Sequence, residues 1–181
     1  MRETIKLKDG RQVLMRPAEA GDMEAIHQLY LEVSRAARRQ WGVVPLRPWL
    51  YGRSGIERAV RNIGQKKGDY LANVVFTPQG ELVGFVQAYH SRREPRTKFG
   101  PIFIRPDYRG AGLFEPMTQP MLTGAVEHGK PEIVFSVNER GPKALYEKKF
   151  HAVEFERHAT GGGAVLSMSF DPKRILDERA K

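Results

Sequence analysis

Arg109, Gly110, Ala111 and Gly112 follow directly on the apolar run "PIFI" and stand just before a stretch with helical spacing. A helix that starts straight after a strand presents free amides and the positive end of its dipole. Where side chains are missing there, a phosphate can settle against bare backbone. These four residues could form such a cradle, with Arg109 as an added counter-charge; the same glycines could equally serve a tight structural turn. No Gly-Lys-Ser/Thr follows, so this is no Walker loop, and the full dinucleotide fingerprint is lacking as well.

Other chemistry is excluded or weakly supported. The 181 residues contain no cysteine, which removes disulfides, thiolate ligands and a cysteine nucleophile. His27, His90, His128, His151 and His158 show no metal-ligand spacing, so no metal is expected. Gly161 to Gly163 join two apolar-alternating runs and read as a hairpin turn. The formal net charge of +9 is uneven. Arg35, Arg38, Arg39, Arg47, Arg53, Arg58, Arg61, Lys66 and Lys67 face the single acid Glu57 in a segment that also holds Trp41 and Trp49. That segment is either a solvated face or a docking surface for an acidic partner.

The surrounding elements must position the glycine loop. "RQVLMRPA" reads as a first strand stopped by Pro17. The following helix has Asp22 as N-cap and Met23, Ile26, Leu29, Tyr30 and Val33 on its apolar face. A second helix, "SGIERAVRNIGQ", is expected from Ser54. "DYLANVVF", "TPQG" and "ELVGFVQAYH" make a hairpin, with Gly84 marking a bulge or a close backbone approach. The strand "FGPIFI" leads to the loop, and a helix runs from Leu113 to Gly129 with a kink at Pro120. "EIVFSVN" is a buried strand and "GPKALYEKK" a short helix. A last hairpin and a C-terminal helix from Asp171 complete the chain. One domain over 1–181 is expected, with 35–67 as a basic insertion and 171–181 as a helical tail. Its class is α/β, a mixed sheet covered on both faces. No window approaches a membrane span, and "MRETIKLKDGRQVLMRP" has no apolar signal core, so a cytoplasmic location and no membrane partner are expected.

The stretch "FIRPDYRGAGL" resembles the acyl-CoA pyrophosphate loop of the GCN5-related N-acetyltransferase superfamily. "VLMRPAEAGDMEAIHQLY", "GELVGFV" and "FSVNERGPKALYEKKF" are similar to that family's opening strand and helix, its hairpin, and its Asn…Leu-Tyr-Glu-Lys…Phe signature. The resemblance covers roughly Arg11 to Phe170. It implies a mostly antiparallel sheet whose two central strands splay apart around the pantetheine arm of CoA. The backbone of Ile102, Phe103 and Ile104 would pair with that arm. The amides of Arg109, Gly110, Ala111, Gly112, Leu113 and Phe114 would hold the pyrophosphate. Asn138 would contact the cofactor near the thioester, and Tyr146 would protonate the departing thiolate. Phe114 stands where the pattern has Gly or Ala, so its ring must turn toward the core or the adenine. Aligned without gaps from Asn138, Leu145 rather than Tyr146 falls on the tyrosine position.

The implied activity is transfer of an acetyl group from acetyl-CoA to an amine by direct attack through a tetrahedral intermediate. The alternative is a basic nucleic-acid- or ribosome-binding module on the same fold with reduced or lost catalysis. His90, Glu94 and Glu32 are candidates for a general base, beside a water chain or an amine that arrives neutral. The basic segment favours an acceptor that is acidic or carried on RNA or a ribosomal assembly.

Overall fold

In the computed structural model, residues 2–41, 70–90, 94–160 and 163–181 are described. The expected helix from Ser54, Trp49 and most of the basic segment lie outside these residues, as do Gly161 and Gly162. Eight strands form one sheet: β1 (Glu3–Lys6), β2 (Gln12–Pro17), β3 (Tyr70–Phe76), β4 (Leu82–His90), β5 (Arg96–Ile104), β6 (Glu132–Asn138), β7 (Val153–Thr160) and β8 (Gly163–Phe170), in the spatial order β1-β2-β3-β4-β5-β6-β8-β7. Four α-helices accompany them among the described residues: α1 (Met23–Trp41), α2 (Phe114–Glu127), α3 (Lys143–Phe150) and α4 (Pro172–Arg179).

The sheet is antiparallel except between β5 and β6, as the mixed α/β reading requires. β1 was not expected. It is four residues long and mostly exposed, held by its pairing with β2 and by the burial of Ile5. Alternation puts one residue set on each face of the sheet. On one face α1 buries Ile26, Leu29 and Tyr30 against Val74, Phe85 and Phe103. On the other, α2 and the C-terminal half of the chain bury Met117, Met121, Leu122, Phe135, Phe150, Leu166 and Met168 in a larger core.

Asp22 does not cap α1. A short 3₁₀ turn, Ala20–Asp22, precedes the helix, and the Asp22 carboxylate accepts from the Glu19 amide at 2.7 Å and from both terminal nitrogens of Arg16 at 2.7 and 2.8 Å. The turn brings strand β2 and the start of α1 to the same carboxylate. Gly84 marks a close approach: a Cβ there would lie 2.8 Å from the Met117 sulfur, so its absence lets α2 sit down on β4. At the C-terminus Asp171 caps α4 through the Lys173 and Arg174 amides, with Pro172 at its first position.

Candidate active site

β5 and β6 pair in parallel only from Arg96–Lys98 against Glu132–Val134. Beyond that apex the two strands part. The cause is visible in β5. Val86 opposes Ile102 and Ala88 opposes Phe99, so Gly100 and Pro101 together stand opposite Gln87. This bulge falls where proline's missing N–H costs no ladder bond, and it bends β5 away from β6.

The bulge also fixes which backbone groups face the gap. The Arg105 amide donates to the Val83 carbonyl, which puts the N–H and C=O of Phe103 on the β4 side as well. Ile102 and Ile104 therefore turn theirs toward β6. The Phe103 ring packs on the α1 side with Tyr30 and Phe85, while Ile102 and Ile104 pack toward the larger core. Phe103 thus supplies packing, and its backbone is already committed to β4.

The gap opens into a cavity of about 780 Å³ that reaches from the loop after β5 back to the apex. At the open end, a 3₁₀ turn (Pro106–Tyr108) uses the Arg109 amide, which donates to the Pro106 carbonyl at 3.2 Å. The amides of Gly110, Ala111, Gly112 and Leu113 donate to no backbone acceptor among the described residues. Gly110 and Gly112 have φ of 77° and 88°, which only glycine adopts without strain. α2 begins directly after, so its dipole adds to this cluster of amides. Ala111 is buried and turns its methyl into the core; the other cradle residues line the cavity.

The Arg109 side chain does not lean over the cradle. Its Nε bonds the Ile104 carbonyl at 3.3 Å and its Nη1 bonds Gln40 on α1 at 3.2 Å. Burial lowers its pKa, partly offset by Glu32. The Phe114 ring turns inward, toward Phe150 and Tyr146 with centroids 5.3 and 6.1 Å away. The cradle backbone is therefore left open. Tyr146, on α3, also meets Phe135 at 4.7 Å and lines the cavity. Leu145 lines it too and is largely exposed. Asn138 stands at the open end, four residues past Val134, and its Oδ1 accepts from the Arg140 amide at 2.9 Å.

Three groups legible only in the fold complete the site. Lys8, in the β1–β2 turn, borders the cradle. Phe155 is the extra residue of a bulge in β7, since Glu154 opposes Met168 and Glu156 opposes Ser167; it lines the apex end of the cavity with Lys98 and Ser167. Val33, Ala37 and Gln40 bring α1 to the rim. No spacing rule in sequence connects these segments to the loop.

The base candidates do not converge on the apex. His90 is buried beneath α2, its Nδ1 2.7 Å from the Thr97 hydroxyl and its ring stacked on His128. Glu94 pairs with Lys98 at 2.8 Å. Glu32 lies near enough to Arg109 to act on its charge and is not part of the cavity lining. Among the described residues no cluster of His, Asp or Glu has the arrangement to hold a metal ion. None of the described helices is long and apolar enough to cross a membrane.

No family model matches the sequence, and no curated protein matches it. Solved structures do share its architecture. The spermidine N-acetyltransferase of Vibrio cholerae, in complex with CoA and spermine, is 22% identical, with 91% of this chain and 98% of that one covered at a TM-score of 0.63. The PaiA N-acetyltransferase of Thermoplasma acidophilum, in complex with coenzyme A, is 14% identical, with 88% and 98% covered at a TM-score of 0.68. With its strand order, splayed β5–β6 pair and helices on both faces, this chain has the GCN5-related N-acetyltransferase fold.

Proposed function

We propose that the chain is an acyl-CoA-dependent N-acetyltransferase that takes acetyl-CoA in the cleft between β5 and β6. The observation that carries this reading is the splay itself: an open seam, lined by outward-facing backbone, that ends at a cluster of uncommitted amides. Unpaired backbone along a sheet interior is costly unless something completes it. A pantetheine arm, with amides of its own, is suited to do so. From Ile104 back to Phe99 the strand spans about 17 Å, long enough to carry an extended arm from cradle to apex.

Bound acetyl-CoA supplies an acyl group activated as a thioester, open to attack by an amine. The chain's own residues hold and orient it. The N–H and C=O of Ile102 and the N–H of Ile104 pair with the arm, since Arg109 already occupies the Ile104 carbonyl. The Gly110, Ala111, Gly112, Leu113 and Phe114 amides take the diphosphate, aided by the α2 dipole. Asn138, at the open end rather than the apex, donates its amide to a carbonyl of the arm on the diphosphate side instead of near the thioester. Tyr146 donates a proton to the departing sulfur as general acid. Deprotonation of the amine is left to water or to an amine that arrives neutral, because none of the candidate bases faces the apex.

Among the described residues, the apex end of the cavity is lined by Phe155, Lys98 and Ser167 and carries no carboxylate. Of the described residues that line the cavity, Glu115 is the one acid; it lies at the cradle end and is bonded to Lys149. Phe155 offers apolar surface near the apex. These features favour a neutral or acidic amine over a polycation. A nucleic-acid-binding module without catalysis would leave the cavity and its oriented backbone without a role. The test is release of CoA thiol from acetyl-CoA with a panel of amines, beside the rise in Tm that CoA should give the folded protein. No rise in Tm at millimolar CoA would overturn the reading.

A further inference from the structure

We propose that Lys8, delivered by the β1–β2 turn, contacts the diphosphate of CoA and is, among the described residues, the cradle's principal side-chain cation. The inference rests on the acetyl-CoA reading above and adds a residue that lies a hundred positions from the loop.

The turn is built onto the cradle. The Lys8 amide donates to the Ala111 carbonyl at 3.0 Å. At the end of the turn, Arg11 donates to the Asp107 carbonyl at 2.9 Å and lies over the Tyr108 ring at 3.8 Å. These contacts fix the start of the Lys8 side chain relative to the glycine amides. Its stem then runs across Gly112: the Cγ, Cε and Cδ atoms lie 3.0, 3.2 and 3.3 Å from where a Cβ on Gly112 would be. Gly112 is required by its φ of 88°, and a side chain there would also crowd the lysine that crosses it. The crossing carries the ammonium along the cavity wall.

Charge accounting singles out the same residue. Among the described residues of the wall, Lys149 is paired with Glu115 and Lys98 with Glu94, while Arg109 keeps its charge but is turned from the cradle onto the neutral Gln40 and the Ile104 carbonyl. Asp9, beside Lys8 in the turn, is gripped by Arg11 at 2.6 Å. No carboxylate among the described residues lies within ion-pair distance of the Lys8 ammonium. Its field reaches Glu115, whose carboxyl is held below its ordinary range first by the Lys149 hydrogen bond, with Lys8 as a lesser contributor. An unneutralised ammonium beside several undonated amides and a helix N-terminus concentrates positive potential at one point. A diphosphate, with a charge at each phosphorus, complements it.

The experiment is calorimetric titration of the full chain with CoA and with 3′-dephospho-CoA, for wild type, Lys8→Ala and Lys8→Arg. Lys8 is exposed, so both variants should keep the wild-type circular dichroism. Loss of one charge-assisted contact should weaken both ligands about tenfold in Lys8→Ala, and Lys8→Arg should restore most of the affinity. Unchanged affinity in Lys8→Ala, with wild type binding normally, would overturn the inference and leave the acetyl-CoA reading standing. A loss confined to CoA would also overturn it, since Lys8 would then meet the 3′-phosphate. Failure of wild type to bind either ligand would instead remove the acetyl-CoA reading, and the inference with it.

Discussion

Phe114 and Phe150 face one another with ring centroids 5.3 Å apart, so the bulky residue at the first position of α2 is an anchor for the core. Phe150 stacks in turn on Phe170 at 4.4 Å, which links α2, α3 and β8 through three rings. Replacing Phe114 with Ala should cost about 2 kcal/mol of stability, because the ring is only half-buried. The amides beneath it are untouched, so CoA affinity should change by less than about threefold. A larger loss of CoA affinity in a folded Phe114→Ala variant would mean that the ring itself meets the ligand.

Gly112→Glu is the converse change. It forces a side chain into a left-handed conformation, displaces the Lys8 stem, and puts a carboxylate among the cradle amides. The strain costs about 1–2 kcal/mol, which a protein of this size can bear. The variant should remain folded by circular dichroism and lose the CoA-induced rise in Tm. Retention of that rise would locate the diphosphate elsewhere.

Tyr146 sits on α3 with its ring between Phe114 and Phe135. If it serves as general acid, Tyr146→Phe should lower kcat about 10²–10⁴-fold with little change in affinity for acetyl-CoA. The ring packing survives the substitution, so stability should hardly move. A wild-type rate in the Phe variant would reduce Tyr146 to a packing residue.

The sequence was informative where signals are local. The β2–α1 opening, the β3–β4 hairpin and the loop from Arg109 could be read from alternation, helical spacing and glycine placement, and the resemblance added the splayed pair. What stayed hidden depends on contacts between distant segments. β1 is too short and too exposed to stand out, yet it carries Lys8 to the cradle. The Asp22 carboxylate looked like a cap because capping is a local pattern; Arg16 claims it through the fold. Phe155 reads as an ordinary strand residue until the β7 register shows the bulge. His90 looked available as a base, and only the seating of α2 on it through Gly124 reveals that it is enclosed.

The Arg16–Asp22 pair should give the protein an acid-sensitive step. Burial by itself would raise the Asp22 pKa, but the Arg16 and Glu19 hydrogen bonds outweigh it and hold the group below its ordinary value of 3.8. A carboxylate depressed in the folded state contributes its full stability above the unfolded value. That contribution is lost as pH falls through the lower, folded value. Asp22→Asn should therefore destabilise the protein by about 1–3 kcal/mol at neutral pH, and the gap to wild type should narrow below about pH 4. Chemical denaturation across pH 3–7 measures it. A gap that stays constant down to pH 3 would show that the aspartate charge contributes nothing.

Polyamines are the acceptors that test the charge of the cavity most directly. The cavity argues that they will be poor ones. A polyamine carries a positive charge every few ångströms, and its recognition calls for carboxylates along its length. Here the described lining offers Lys8, Lys98, Arg109 and Lys149 against Glu115, with Glu115 bonded to Lys149 and Lys98 paired with Glu94 beyond the lining. Arg96, over the Phe155 ring at 5.7 Å, adds a further cation at the apex end, although Glu132 pairs with it. The formal net charge of +9 works in the same direction at long range. Spermidine should therefore show a kcat/KM at least about tenfold below that of a neutral amine of similar length, and added salt should relieve part of the deficit by screening the repulsion. For an acidic acceptor the sign reverses, and its kcat/KM should fall as salt rises. The measurement is thiol release at several ionic strengths with spermidine, a neutral amine and an acidic amine side by side. Efficient, salt-insensitive acetylation of spermidine would mean that the acceptor is bound by groups other than those that line this cavity.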